Sequence, residues 1–163
     1  MIYYTKVASP IGQLTVCGDG HALTGLYFSS GSKARGADPS WIKKPDCFAE
    51  LSKQLEEYFA GTRRVFDLVL KTETTFFQGQ VLKALQTIPY GDVRSYKDIA
   101  EQIGNPKAVR AVGSANGSNP IAIIIPCHRV IGSNGSLTGF GGGLDAKRHL
   151  LGLEKDQTGL FAT

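Results

Sequence analysis

The sequence predicts an α/β unit over residues 1–72, a small antiparallel sheet with one helix, followed by a mostly helical unit over residues 73–163. Three observations carry this reading. Short strand-like runs separated by Ser9-Pro10 and Gly18-Asp19-Gly20 fill the first 28 residues, as the hairpins of a small sheet do. Past residue 73 the apolar period changes to that of helices. Two of those helical patterns meet at Gly104-Asn105-Pro106, a junction that resembles a helix-turn-helix.

Residues 2–7, 12–17 and 22–28 form the strands, and residues 29–45, holding Gly, Ser, Pro and charge, form a loop. Asp46 caps the first helix, whose apolar stripe of Phe48, Leu51, Leu55, Tyr58 and Phe59 stops at Gly61. Residues 65–70 alternate as a further strand. A second helix covers residues 75–88, with Phe77, Val81, Leu82 and Leu85 on one face and Pro89-Tyr90-Gly91 at its end. Ser95 caps a third, with Asp98 three residues on in a near capping box, and Gly104 ends it. Asn105 caps a fourth, with Pro106 in its first turn. That helix is rich in small residues (Ala108, Ala111, Gly113, Ser114, Ala115), so its face can approach either the core or a DNA groove closely. Residues 121–125, four isoleucines and an alanine, form a buried strand. Asn134-Gly135 makes a tight hairpin turn between Val130-Ile131 and Leu137-Thr138, and residues 139–143 a glycine-rich loop with open backbone N–H groups. Asp145 caps a last helix through Leu153, with Glu154 near its end.

The longest aliphatic run, residues 121–125, is far too short to span a bilayer, and the N-terminus lacks the apolar run of a signal peptide. Three cysteines, an odd number without a Cys-x-x-Cys spacing, argue against a disulfide framework and for a reducing cytoplasm. Charge is uneven: residues 1–75 hold nine Lys/Arg against eight Asp/Glu, and residues 76–163 nine against six. The second half is therefore the better candidate for a polyanionic partner, although a solvated basic surface accounts equally well for so small an excess.

Ile125-Pro126-Cys127-His128-Arg129-Val130 carries the chemistry. A free thiol is only a few per cent ionised at neutral pH, so a nucleophilic cysteine needs a base or a positive neighbour. His128 is nearest. Adjacent side chains of a strand point apart, so either Pro126 starts a turn that brings the pair together or His128 acts through a water. An imidazole base needs an orienting carboxylate, for which Glu154, Asp145 and Asp156 are available. On spacing alone, a structural cysteine beside a surface histidine explains the pair better.

The flanking pattern changes that balance. Pro89-Tyr90-Gly91, Ser95-Tyr96, the run from Asn105-Pro106 through Arg110 to Gly113, Asn119-Pro120, the Cys127 segment and Gly141-Gly142-Gly143 occur in this order. Together they closely resemble the O6-alkylguanine-DNA alkyltransferase family over roughly residues 74–155. The resemblance implies a winged helix-turn-helix in the second half and a more variable sheet domain in the first. It implies that Cys127 accepts the alkyl group from guanine O6 of a flipped nucleotide and keeps it, acting once. His128 would be the water-mediated base, Glu154 its orienter, and Tyr96 the donor to the departing guanine. Arg110 would fill the gap left by the base, on a helix that meets DNA through Ala111, Gly113 and Ser114. Asn119 would tie down the turn before the active-site strand, the carbonyls of Cys127 and Val130 would accept from the guanine amino group, and the Gly141 N–H would face O6. Outside such a family, Arg110 reads as a surface arginine and Tyr96 as a core aromatic past a helix cap.

Two departures matter. Phe140 stands where many relatives carry Tyr, so a hydroxyl at the pocket lip is lost, and Gly141 stands where some carry Ser, so acceptance of alkyl groups larger than methyl is expected. Some relatives bind zinc in the first domain; here Cys17, His21 and Cys47 are its only soft ligands, too few for the usual four-ligand site, so no metal and no cofactor are expected. The expected partner is double-stranded DNA containing O6-alkylguanine, bound by a monomer able to cluster along DNA, with no membrane association. A lesion-binding module lacks the acceptor thiol that Cys127 supplies. A thiol hydrolase or redox sensor leaves Tyr96, Arg110 and the helix-turn-helix unexplained. A transcription factor of this kind would carry an additional metal-binding regulatory domain.

Overall fold

The computed structural model describes residues 1–31, 34–137, 140 and 143–158. β1 (Tyr3–Val7), β2 (Leu14–Gly18) and β3 (Leu23–Phe28) form the antiparallel hairpins expected of their turn residues. The sheet is mixed rather than purely antiparallel, because β4 (Ile42–Lys43), inside the expected loop, pairs in parallel with β1, giving the order β3-β2-β1-β4. β2 is buried throughout, with Leu14 and Val16 at its centre.

α1 (Ala49–Phe59) buries Leu51, Leu55 and Tyr58, the stripe its spacing predicts, and Gly61, with φ of +81°, ends it. Asp46 does not cap it. The chain enters through a 3-10 turn, Pro45–Phe48, and α1 follows directly with Phe48 at its N-cap and no side-chain cap. Residues 65–70 are not a strand: only Leu70 bridges, in parallel with Leu23. Gln54 of α1 takes over the ladder's role, donating to Asp67 O at 3.0 Å and accepting from Asp67 N at 2.9 Å.

α2 (Phe76–Leu85) is capped by Thr75 and Gln78 reciprocally, and ends one turn earlier than the apolar period suggests. α3 (Tyr96–Gln102) carries the expected capping box of Ser95 and Asp98. Asn105 caps no helix. Its N–H donates to Ala100 O at 2.9 Å behind Gly104, with φ of +80°, so it closes α3 in a Schellman arrangement. A turn from Asn105 to Ala108 is therefore needed before α4 (Val109–Gly117) begins. α2, α3 and α4 pack on one another, which gives the helix-turn-helix its body.

The expected strand at residues 121–125 is replaced by a tight turn. Ile121 alone bridges in parallel to Leu26, after which Ile125 N donates back to Ile121 O at 3.0 Å. The expected hairpin is present as a turn at Gly135, with φ of +83°, and a bond of 2.9 Å from Gly132 N to Ser136 O. β6 (Val130–Ile131), however, pairs in parallel with β5 (Arg94–Ser95) rather than with Leu137, while Thr138 lies outside the described residues. α5 (Leu144–Thr158) starts before Asp145, which sits in its first turn bonded to Arg148, and continues past Leu153, so Glu154 is mid-helix.

One continuous apolar core joins β2, β3 and α1 to α2, α4, the Ile121–Ile125 turn and α5. No helix among the described residues is long and apolar enough to cross a membrane.

Candidate active site

Cys127, His128 and Arg129 form one 3-10 turn, entered at Pro126 and buried throughout. Asn119 sets up the approach. Its Nδ2 donates to Ile125 O at 2.8 Å and its Oδ1 accepts from Ile121 N at 3.1 Å, so one amide clasps both ends of the preceding turn. Inside that turn Ile123 has φ of +70°, a region that a β-branched side chain occupies at a cost of about 1–3 kcal/mol. A turn does start at Pro126, but it leaves His128 Nδ1 without a hydrogen bond to Cys127 or to any other group among the described residues.

His128 is fully buried, and its Nε2–H donates to Glu154 Oε2 at 2.7 Å. That bond leaves Nδ1 as the basic nitrogen, buried without a protein hydrogen-bond partner. Of the three candidate carboxylates, Glu154 is the one that meets His128. It accepts further from Tyr58 OH at 2.6 Å, Arg129 Nε at 2.8 Å, Arg129 Nη2 at 3.1 Å and Gly91 N at 3.3 Å. Arg129 also donates from Nη1 to Ile88 O at 2.7 Å, which fixes its fork.

These contacts set the charges. Burial alone would raise the Glu154 carboxyl, but hydrogen bonds and charge from His128 and Arg129 outweigh it and hold the group at about 2. Burial pushes the His128 imidazole down, against the pull of Glu154. Burial pushes the Cys127 thiol up, opposed by the Asn119 amide and the Lys147 ammonium. The resting pair is thus a neutral thiol beside a neutral imidazole, backed by an ionised carboxylate.

A cavity of about 430 Å³ adjoins Cys127, walled by Tyr27, Phe28, Arg35, Asn116, Asn119 and Phe140. Tyr27 and Phe28 come from β3 and Arg35 from the loop beyond it, so the first half of the chain builds one wall. Phe140 is buried and stacks edge-on against Phe28 at 5.3 Å. Gly141, expected to present its N–H, lies outside the described residues. The Val130 carbonyl accepts from Lys147 Nζ at 2.6 Å and keeps at most its second lone pair for a ligand, whereas the Cys127 carbonyl already accepts from both Asn116 Nδ2 at 3.3 Å and the Val130 N–H.

The remaining expected residues lie around α3 and α4. Tyr96 does not line the cavity; its ring packs at Gly113, where a Cβ would stand 3.8 Å from Tyr96 Cδ1. Arg110, Ala111 and Ser114 are exposed along one flank of α4, opposite the buried Val112, Ala115 and Asn116, with Gly113 half-buried between. In the first half, Cys17 is buried and packs where a Gly25 Cβ would come within 2.7 Å of its Sγ, while Cys47 is exposed.

Sequence reasoning gave no role to Arg129, Tyr58, Lys147 or Asn116. Arg129 lies inside the hexapeptide of residues 125–130, and a buried arginine there calls for a carboxylate such as Glu154. Tyr58 was hidden in an apolar stripe. Lys147, with no exposed surface, carries no sequence signal at all.

Residues 2–72 match the family model described as 6-O-methylguanine DNA methyltransferase, ribonuclease-like domain, and residues 76–156 the model described as 6-O-methylguanine DNA methyltransferase, DNA binding domain. The chain is 52% identical over 153 residues to a methylated-DNA--protein-cysteine methyltransferase of Methanosarcina acetivorans, covering 94% of this chain and 98% of that protein. It is 52% identical over 160 residues to the protein of the same name from Mycobacterium tuberculosis, covering 96% and 94%. The crystal structure of Mycobacterium tuberculosis OGT in complex with DNA superposes with a TM-score of 0.90 at 52% identity, over 95% of this chain and 94% of that one.

Proposed function

The chain belongs to the 6-O-methylguanine DNA methyltransferase family, and from that premise we propose that it repairs O6-alkylguanine in double-stranded DNA by moving the alkyl group to Cys127. The observation that carries the assignment is the buried Cys127 thiol, beside a cavity and on the same turn as His128, whose Nε2 is held 2.7 Å from Glu154.

The reaction is a single displacement. The Cys127 proton passes through a water to Nδ1 of His128, and the resulting imidazolium is stabilised by Glu154. The thiolate attacks the alkyl carbon, the S–C bond forms as the C–O6 bond breaks, and the electron pair leaves with guanine; Tyr96, which packs at Gly113 outside the cavity wall, would have to reach the flipped base to donate to it. Because a thioether does not reverse, each molecule acts once. The nucleotide must leave the stack to reach a buried thiol, at a cost of a few kcal/mol. Arg110, exposed on α4, is suited to fill the gap, and the flank of Ala111, Gly113 and Ser114 to approach the minor groove closely. The apolar cavity supports acceptance of groups larger than methyl. The protein works as a monomer able to cluster along DNA, in the cytoplasm, where its three free cysteines stay reduced.

Intact-protein mass spectrometry after mixing with duplex DNA carrying one O6-methylguanine tests this. The wild type is expected to gain one methyl on the Cys127 peptide and then stop, with benzyl adducts also transferred, and Cys127→Ser to gain nothing. Tight lesion binding with no mass gain would instead mark a lesion sensor.

A further inference from the structure

The Glu154 carboxylate, which orients His128, receives a hydrogen bond from a hydroxyl in the other half of the chain. Tyr58 on α1 has no exposed surface, and its OH donates to Glu154 Oε2 at 2.6 Å. The same oxygen accepts from His128 Nε2 at 2.7 Å and Arg129 Nη2 at 3.1 Å. A tyrosine needed only for packing would require its ring alone, which already stacks against Phe59, Phe66 and Tyr90. We propose that Tyr58 is a positioning residue of the alkyl-transfer site: its hydroxyl fixes the Glu154 carboxylate and limits how strongly Glu154 holds a proton on His128. The inference rests on the roles given above to Cys127, His128 and Glu154.

Donors that share one carboxylate oxygen divide its charge among them. Tyr58 serves as a donor at every accessible pH, because burial and the neighbouring Glu154 hold its phenol far above the usual range. The groups around His128 are few. Glu154 and Lys147 act on it from α5, Arg129 from its own turn, and Tyr58 meets its carboxylate from α1. Tyr90, from the segment after α2, adjoins the same carboxylate with Arg64 over its ring. Arg129 is a fixed cation that also anchors Ile88, so it cannot be exchanged without moving the turn. Removing the Tyr58 hydroxyl leaves the ring in place and concentrates the Glu154 charge on its remaining donors. Protonated His128 is then favoured, and since the neutral imidazole is the base, the acid limb of the rate profile must move to higher pH.

The test is the rate of methyl gain at Cys127 from O6-methylguanine duplex, followed from about pH 5 to about pH 9 in wild type and Tyr58→Phe. The same limb is measured with iodoacetamide as a small thiol probe that needs no DNA, read at the Cys127 peptide so that the exposed Cys47 does not count. For Tyr58→Phe the limb is expected at higher pH, with rates about threefold lower at a given pH on the limb and within about twofold on the plateau. Replacing Tyr58 by 3-fluorotyrosine, a stronger donor on the same ring, moves the limb the opposite way. A limb unmoved in both variants, whatever happens to Tm, overturns the proposal and leaves Tyr58 a packing residue. If wild type gained no methyl while the iodoacetamide limb still moved, the alkyl-transfer reading would fail and the positioning role would stand.

Discussion

Asn119 donates to Ile125 O and accepts from Ile121 N, so its amide spans the turn in which Ile123 is held at φ of +70°. Both backbone groups lie on buried residues; in Asn119→Ala the Ile121 N–H would lose its partner, whereas Ile125 O would keep the Cys127 N–H at 2.8 Å. An unsatisfied buried group costs about 1–3 kcal/mol, so the variant is expected to lose roughly 2 kcal/mol of stability in urea unfolding. Because Cys127 follows that turn by two residues, its iodoacetamide rate is expected to fall about tenfold as well, since a turn free to relax Ile123 no longer fixes the thiol. A stability loss with an unchanged thiol rate would make Asn119 a brace for the core and nothing more. The role of Asn119 is legible in the sequence only through the family pattern; the asparagine alone, before a proline, reads as any turn residue. Lys147 is illegible even so, since a lysine in a helix is normally exposed and only the fold shows its ammonium directed onto the Val130 carbonyl.

At the level of elements, the sequence is most legible where local chemistry decides. The Ser95–Asp98 box, the stripe on α1 and the glycine stops at Gly61 and Gly104 all follow from contacts within a few residues. It is least legible where distant groups decide. Residues 121–125 have the composition of a strand, yet only Ile121 finds a strand partner, and Asn119 folds the rest into a turn. Residues 65–70 alternate like a strand, yet Gln54 on α1 takes the backbone groups of Asp67. β4 escapes notice because two residues in a polar loop have no pattern to show. α4 is the element whose role can be tested separately from the thiol. Arg110 lies exposed on it, away from the cavity at Cys127, so Arg110→Ala should leave the chemistry intact and impair only extrusion of the base. Extrusion costs a few kcal/mol, so transfer from duplex DNA is expected to slow by about tenfold or more, while transfer from free O6-benzylguanine stays within about twofold. Equal losses on both substrates would place Arg110 in the pocket chemistry instead.

For the molecule as a whole, the buried cluster around Glu154 ties the two halves together, since Tyr58 comes from α1, Glu154 from α5 and His128 and Arg129 from the turn between. Its charges make stability depend on pH in a definite way. Glu154 is held at about 2 in the fold against an ordinary value of 4.5, so its contribution is complete above 4.5 and is lost as pH falls toward 2. That difference corresponds to roughly 3 kcal/mol. His128 is depressed below its ordinary 6.5, so the unfolded chain takes up that proton first and stability begins to erode once pH drops below 6.5. On the alkaline side Cys127 is raised above its ordinary 9.0, so the unfolded chain ionises first and stability declines above that value. Surface carboxylates such as Asp92 and Asp98 are also lowered, but they are exposed to solvent and contribute little. Urea midpoints measured across the pH range are therefore expected to form a plateau between about 6.5 and about 9, with a mild fall just below it and a steep one from about 4.5 downward. Because one apolar core runs through both halves, fluorescence and circular dichroism should report a single transition at each pH rather than the early loss of one half. In Glu154→Gln the plateau is lower, because Arg129 loses its carboxylate, and the steep fall below 4.5 is flattened. A wild-type midpoint unchanged between 4.5 and 2 would mean that the buried carboxylate contributes no pH-dependent stability, and that it is kept for the chemistry of Cys127 alone.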